Sequence, residues 1–305
     1  MSFCVIIPTY NGGDIFKRSL ESIAFQSRQP DKLLIIDSSS NDDTVKNASL
    51  YTTDIEIIPS SDFNHGGTRN QAANMASDFD YLIFMTQDAI LNTPNDFDNI
   101  IDFLERDHDI SAVCGRQLPH DDANPLAQHA RYFNYQTQSQ IKTEKDIARM
   151  GIKTVFMSNS FSAYRTADLI NLGGFPADTI LAEDMYVAAK MIMQRKKIGY
   201  CAEACVRHSH NYTFIQEFKR YFDTGVFHSK ESWILERFGN ISGEGKRFII
   251  SEFKFLCKKN PLWIPSAMLN TFAKYVGFKL GANWSRLPKS WLPKLSMHKN
   301  YWLKK

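Results

Sequence analysis

No Gly-x-Gly-x-x-Gly follows the first apolar run of this chain, which disfavours a dinucleotide-binding site. No apolar run reaches the roughly 20 residues that a spanning helix needs, so no membrane span is expected. The start of the chain carries no signal peptide: Phe3-Cys-Val-Ile-Ile7 is short, lacks a basic flank and runs straight into Pro8. Cysteine is sparse, with five residues, and Cys201 and Cys205 have no second pair to complete a zinc site. A buried, reduced set is expected, which points to the cytosol. The net charge of +3 is too small to imply nucleic-acid binding, and no internal repeat is visible.

What is present is an ordinary globular composition, 43% hydrophobic and 23% charged, over 305 residues. That length holds one large α/β domain with an extension, or two small domains. Phe3 to Ile7 reads as a strand closed by Pro8-Thr-Tyr-Asn-Gly-Gly13, and Phe16, Leu20 and Ile23 mark one face of the helix that follows. Lys32 to Asp37 is a second buried strand ending in a carboxylate, with a helix expected near Asp42. Ile55 to Ile58 gives a third. Tyr81 to Met85 is a fourth, and it stops abruptly at Thr86-Gln87-Asp88. A helix marked by Phe97, Ile100, Ile101 and Leu104 follows. Strands alternating with helices to about residue 115 imply a parallel sheet with right-handed crossovers.

A carboxylate such as Asp88, at the C-terminal edge of a buried strand, sits where open α/β sheets bind ligands. It is a hard ligand suited to Mg²⁺ or Mn²⁺, or else it caps a turn. Asn64-His-Gly-Gly-Thr-Arg-Asn70 opens a helix, and its N–H groups with Arg69 either meet an anionic group or are simply capped. From Asp121 to Arg149 few apolar residues suggest a surface excursion. Glu183-Asp184 then begins a helix whose dipole favours both carboxylates, with Met185, Ala188 or Ala189, and Ile192 facing inward. A strand near Ile198 to Cys201 leads to Val206-Arg-His-Ser-His-Asn-Tyr212. In an extended segment there, His208 and His210 point to one side, as a metal or phosphate site could use.

Beyond Thr213 the chain reads as helical. Ile215, Phe218 and Phe222 form one apolar stripe, Ile249, Phe253 and Leu256 another, with a break at Gly239 to Gly245. Trp284 to Lys305 mixes Trp284, Trp291, Tyr301 and Trp302 with Lys289, Lys294, Lys299, Lys304 and Lys305. Two readings stand level for this tail: contact with an anionic membrane surface, or a helix docked on the domain with a solvated basic face.

Taken in order, these segments resemble the inverting nucleotide-sugar glycosyltransferases of family 2. The resemblance implies a GT-A fold, an α/β architecture with a mostly parallel central sheet and flanking helices. That domain would span 1–212, followed by a C-terminal amphipathic helical region over 213–305. Val5-Ile-Ile-Pro-Thr-Tyr-Asn11 is similar to the family's first strand and nucleotide-contacting loop, which gives Pro8, Thr9 and Tyr10 that role. Ile35-Ile-Asp-Ser-Ser-Ser-Asn-Asp-Asp-Thr44 resembles the strand whose Asp, here Asp37, recognises a pyrimidine ring. His65, Gly66 and Arg69 match the helix start beside the nucleotide. The family's metal motif Asp-x-Asp reads Thr86-Gln87-Asp88 here, so its first Asp is absent and Asp88 keeps the metal position, with Gln87 beside it.

Glu183-Asp184 matches the family's Glu-Asp motif, which makes Asp184 the general base and Glu183 its alternate. His208 falls where a further metal ligand is supplied, with His210 as its neighbour. Asn159 and Ser160 fall in the segment bordering the acceptor. Phe-Met-Thr-Gln-Asp-Ala, Phe63-Asn-His-Gly-Gly-Thr-Arg-Asn70 and His208-Ser-His-Asn-Tyr212 are similar to a narrower group, bacterial rhamnosyltransferases. The resemblance then implies dTDP-L-rhamnose as donor, Mg²⁺ or Mn²⁺ as cofactor and a lipid-linked saccharide as acceptor, in building O-antigen-like surface polysaccharide. It implies work at the cytoplasmic face of the inner membrane, with a homodimer open and no nucleic-acid partner. Competing readings are a transferase for another dTDP- or UDP-sugar, a degenerate scaffold of the same fold, and a sugar-nucleotide pyrophosphorylase. The last would want a Gly-rich, Arg-containing loop where Pro8-Thr-Tyr-Asn11 stands.

Overall fold

The computed structural model describes residues 1–239 and 243–303. Lys304, Lys305 and the middle of the expected break at Gly239 to Gly245 lie outside the described residues. Nine strands form one mixed sheet: β1 (Phe3–Thr9), β2 (Lys32–Asp37), β3 (Ile55–Ile57), β4 (Tyr81–Met85), β5 (Ile90–Leu91), β6 (Ile110–Leu118), β7 (Gln140–Lys142), β8 (Phe161–Arg165) and β9 (Lys197–Arg207). Their order is β3-β2-β1-β4-β8-β6-β9-β5, with β7 paired to β9.

The first four strands pair in parallel, as alternating strands and helices dictate. Alternation of side chains along β1 sends Cys4 and Ile6 into one apolar layer and Phe3, Val5 and Ile7 into the other. Helices Gly13–Ala24 and Asp96–Glu105 cover the second layer through Phe16, Leu20, Phe97, Ile100 and Leu104. Helices His65–Met75 and Glu183–Met193 cover the first through Ala72, Ala73, Val187, Ala188 and Ile192.

The parallel pattern does not run on through residue 115. β8 inserts between β4 and β6, antiparallel to both, and β6 instead pairs in parallel with β9. Local periodicity reports no partner, so a strand arriving 76 residues after β4 begins to end could not be foreseen as its neighbour. β9 carries a register shift where Gly115 pairs with Cys201 and Arg116 with Cys205. That bulge lets the strand continue to Arg207 beside β5 and deliver His208 to the end of β4.

The stretch from Asp121 to Arg149 is more ordered than expected. It contains the helix Pro125–Asn134, capped by the Asn124 side chain at Ala127 N–H, and then β7. Its partner lies far along the chain: His129 and Phe133 pack edge-on against Phe248. The C-terminal helices Phe214–Lys230, Glu244–Lys259 and Ile264–Ala282 follow β9, and Phe222, Val226 and Phe227 sink into the same apolar layer as the sheet. Trp284, Leu287, Leu295, Tyr301 and Trp302 pack against that layer too, so these tail aromatics take the docked reading. Cysteine matches expectation only in part, because Cys257 is exposed while the other four are buried and all are free. Among the described residues no helix is long and apolar enough to cross a membrane.

Candidate active site

β1, β2 and β4 end side by side at one edge of the sheet, and the loops beyond them open onto a cleft of about 730 Å³. Pro8, Thr9, Tyr10, His65, Arg69, Gln87, Asp88, His208 and His210 all line it, so nine sequence-predicted residues meet there. Tyr10 is half-exposed at the mouth, as a side chain able to stack on a base would be.

Two predicted nucleotide contacts stand elsewhere. Asp37 is completely buried and does not line the cleft. Its Oδ1 accepts from Ser40 N–H at 2.8 Å, and its Oδ2 accepts from the Thr9 and Ser40 hydroxyls at 2.9 and 2.6 Å. It thereby ties the β1 and β2 loops together, and an incoming ring N–H would have to displace the Ser40 hydroxyl. Gly66 is likewise a packing residue: a Cβ there would lie 1.7 Å from the Pro176 carbonyl. The Gly-Gly pair is not a loop at all. The helix begins at His65, and its cap Asn64 accepts from Gly67 N–H at 2.8 Å, the capping alternative.

Gln87 explains how the chain dispenses with the usual two-carboxylate turn. Its Oε1 accepts from Tyr10 N–H at 2.8 Å and its Nε2 donates to Tyr10 O at 3.1 Å. A carboxamide can do both, whereas a carboxylate only accepts. The loop after β1 is thus clasped to the turn after β4, and Asn11 beside it sits at φ 47°.

Asp88 faces the two histidines. His208 Nε2 lies 3.4 Å and His210 Nε2 3.6 Å from Asp88 Oδ2, and the three ligand atoms fall within 4.8 Å of one another. Two adjacent ligands at ~2.1 Å from one octahedral ion stand ~3 Å apart, so a small inward movement would close this set on a divalent cation. Two imidazoles and one carboxylate suit Mn²⁺ better than Mg²⁺. Burial pushes the Asp88 carboxyl up, but His208 and His210 outweigh it and hold it below the usual carboxylate range. Burial, with His208 beside it, pulls His210 down to about 4, which leaves the neutral ring that ligates metals.

Three supporting residues were not signalled by the sequence. Gln117, near the end of β6, offers Oε1 to His208 Nδ1 at 3.0 Å. An amide oxygen only accepts, so a ring proton sits on Nδ1, and Nε2 is the nitrogen turned toward Asp88 and the one that can ligate a metal. Arg131 also donates to Gln117 Oε1 and keeps that amide from flipping. His120 places Nε2 3.1 Å from the Asp88 carbonyl, and its own N–H reaches the Ser209 hydroxyl at 3.0 Å. All three come from the stretch that runs from the end of β6 through the helix 125–134, whose closeness to the histidines follows from the β6–β9 pairing and from no local motif.

Glu183 and Asp184 differ sharply in their surroundings. Ala182 at φ 59° turns the chain into the helix so that both carboxylates lie in its first turn. Glu183 Oε1 meets Arg69 Nη1 at 3.1 Å, both side chains being buried, and accepts from Asn159 Nδ2 at 3.0 Å. Asp184 accepts from Asn159 N–H at 3.0 Å and Met185 N–H at 2.7 Å. Burial raises the Glu183 carboxyl, but Arg69 and His65 bring it below its ordinary value. Burial and the adjacent Glu183 charge push Asp184 up to about 7. Asp184 is half-buried and, like Glu183, is not among the residues lining the cleft, which Arg69, the partner of Glu183, does line. Asn159 therefore orients both acids, whereas Ser160 is buried at the start of β8 with its hydroxyl 3.4 Å from Ser158.

The remaining wall comes from the far end of the chain. Asn300 lines the cleft, and the His298 ring meets His65 edge-on at 4.7 Å. Asp223 Oδ2 holds this strap by accepting from Met297 and His298 N–H at 2.8 and 3.2 Å, and Tyr301 donates to Asp178 O at 3.0 Å.

Comparison with known proteins adds four findings. Residues 4–173 match the model of glycosyl transferase family 2. The O-antigen chain rhamnosyltransferase WbaN of Salmonella anatum is 56% identical over 302 residues, 99% of this chain and 96% of the relative. RfbN of Salmonella typhimurium, an O-antigen chain rhamnosyltransferase, is 55% identical over 303 residues, again 99% and 96%. Among solved structures, the mannosyltransferase PcManGT from Pyrobaculum calidifontis, in complex with GDP-Man and Mn²⁺, has a TM-score of 0.57 at 19% identity, covering 99% of this chain and 84% of that one. At that identity the likeness concerns the fold.

Proposed function

Because this chain belongs to glycosyl transferase family 2 and is a glycosyltransferase, we propose that it transfers L-rhamnose from dTDP-L-rhamnose to a lipid-linked saccharide during O-antigen chain assembly. The observation that carries this reading is near-full-length identity of 55–56% to two O-antigen chain rhamnosyltransferases, and a cleft lined by Tyr10, Arg69, Asp88, His208 and His210 supports it. The reaction belongs at the cytoplasmic face of the inner membrane, where lipid-linked acceptors are built.

The chemistry follows from what each side chain can do. Tyr10 and Thr9 border the part of the cleft that suits the base, and Asp88 with His208 and His210 borders the part that suits the diphosphate. Those three residues would hold a divalent cation, which when bound neutralises charge on the departing diphosphate. Arg69 lines the same space, and its Nε–H has no partner among the described residues, which leaves a donor for an anionic or sugar oxygen. On the other side of the anomeric carbon, Asp184 takes the proton of the attacking hydroxyl, so the configuration inverts. Its raised affinity for a proton suits a base working near neutral pH, while Arg69 keeps Glu183 ionised and out of that role.

The test is a transfer assay with purified protein, dTDP-L-rhamnose, Mn²⁺ and lipid-linked acceptor, read by mass spectrometry of the lipid product. A gain of one deoxyhexose is expected. Addition only from UDP- or GDP-sugars, or none from any donor, would overturn the reading.

A further inference from the structure

The helix Ile264–Ala282 is apolar on two opposite faces. One face packs on the helix Phe214–Lys230 through Ala267, Ala273, Gly277 and Gly281. Added Cβ atoms at Gly277 and Gly281 would lie 2.3 and 1.9 Å from the carbonyls of Phe218 and Phe222, so this crossing is as close as glycine allows. The other face is exposed: Met268 by 69%, Phe272 by 64% and Tyr275 by 62%. The preceding helix Glu244–Lys259 adds exposed Ile249, Ile250 and Phe253, and the turn between the two helices holds out Leu262, 87% exposed. Between the helices runs a groove of about 420 Å³ lined by Ile249, Phe253, Leu256, Ile264, Met268 and Phe272. Soluble monomers rarely leave so continuous an apolar surface uncovered.

Glu252 also lines the groove but is buried beside His129, and the exposed charge on its C-terminal side is basic. From Phe253 to Lys305 the sequence contains no Asp or Glu and eleven Lys or Arg. Lys254, Lys258, Lys259 and Lys279 are exposed on the same two helices. We propose that this helical hairpin, led by Leu262, Met268 and Phe272, is the surface by which the enzyme docks on an anionic lipid bilayer. The apolar side chains enter the acyl boundary and the lysines meet the headgroups. This rests on the reading that the acceptor is lipid-linked, and it moves the membrane contact from the terminal aromatics, which apart from the exposed Trp291 are docked, to residues 249–275. A second copy of the chain fits less well, because a two-fold contact would face this basic rim against itself.

The experiment is flotation of the full chain with vesicles of phosphatidylcholine alone or mixed with phosphatidylglycerol, beside Leu262→Asp/Phe272→Asp and Lys258→Glu/Lys259→Glu variants. These exposed positions tolerate charge, and thermal stabilisation by dTDP with Mn²⁺ serves as the check of an intact donor site. The wild type should float with the anionic vesicles, and the apolar double variant should lose binding about tenfold or more. The charge variant should weaken binding to anionic vesicles specifically, and high salt should do the same to the wild type. Equal flotation of wild type and apolar variant would overturn the proposal, as would a wild type that ignores both vesicles. Light scattering that finds a dimer made monomeric by Leu262→Asp/Phe272→Asp would assign the patch to self-association instead. Transfer to a detergent-solubilised acceptor reports on the donor chemistry separately, so a failed surface and a failed transferase reading are told apart.

Discussion

Arg69 Nη1 sits 3.1 Å from Glu183 Oε1 in a buried ion pair, and that one contact divides the labour between two adjacent carboxylates. Glu183 is neutralised by a fixed cation and stays ionised. Asp184, with no cation of its own and a charged neighbour, holds its proton more tightly. Two acids that sequence alone left as alternates are thereby separated into an anion held by Arg69 and a carboxyl that keeps its proton to about neutral pH, the proposed base.

Replacing the base should remove chemistry and spare binding. Asp184→Asn should lower kcat by about a hundred- to ten-thousandfold and leave the dTDP-induced rise in Tm in place. Turnover within a few-fold of wild type would transfer the role to another group.

The same residue predicts a pH profile. A base works only when ionised, so kcat/KM should climb with pH on an ascending limb set by Asp184, raised by burial to about 7, and level off above it. Arg69→Gln removes the cation beside Glu183 and should displace that limb, which initial rates across pH 5–9 would reveal.

Metal affinity should depend on a residue that never touches the metal. Gln117→Leu removes the acceptor that fixes the His208 ring proton on Nδ1. Loss of such an orienting partner costs about 10- to 100-fold in affinity, measurable as the Mn²⁺ concentration for half-maximal activity and by calorimetry of Mn²⁺ alone. Asp88→Ala should abolish the calorimetric signal.

Gly66 supplies a stability test. Gly66→Val would drive side-chain atoms into the Pro176 carbonyl, and neither the helix start nor the loop has room to yield. A loss of at least about 3 kcal/mol is expected in urea unfolding.

The strap that closes the cleft should respond to acid through Asp223. Burial raises its carboxyl to about 6, above the value of an unfolded Asp. Its contribution to stability is then full below the unfolded value and is lost as pH rises to about 6. Asp223→Asn keeps an oxygen for the Met297 and His298 N–H groups and removes the titration. Thermal melts of the variant between pH 4 and 7 should therefore lack the decline that this carboxyl imposes on the wild type.

Much of this site could be read in the chain because its parts are local. Strands β1, β2 and β4 are short apolar runs ending in turn formers, and Asp88, His208 and His210 announce themselves by residue type and alternation. What escaped depends on which strands become neighbours. Gln117, His120 and Arg131 belong to the site only because β6 pairs with β9, and Asn300 only because Asp223 captures the chain end. Asp37 and Gly66 stand on the expected elements with neighbours that no motif announces, the Thr9 and Ser40 hydroxyls for one and the Pro176 carbonyl for the other, since motif matching finds a position but not the contacts around it. The apolar stripe at Ile249 and Phe253 was visible as a helical face, but periodicity does not say whether such a face meets the protein's own core.

The strap has a further consequence for how the enzyme comes into being. Asp88 and the wall residue Asn300 are about two hundred residues apart in the chain, so a cleft that both line is incomplete until residues 297–301 have been made and folded back. A nascent chain that has already assembled the parallel strands holds an open trough without its last wall. Only molecules in which His298 and Asn300 have been made and this strap has found Asp223 have that wall in place, and a product cut short before them is left with the cleft gaping.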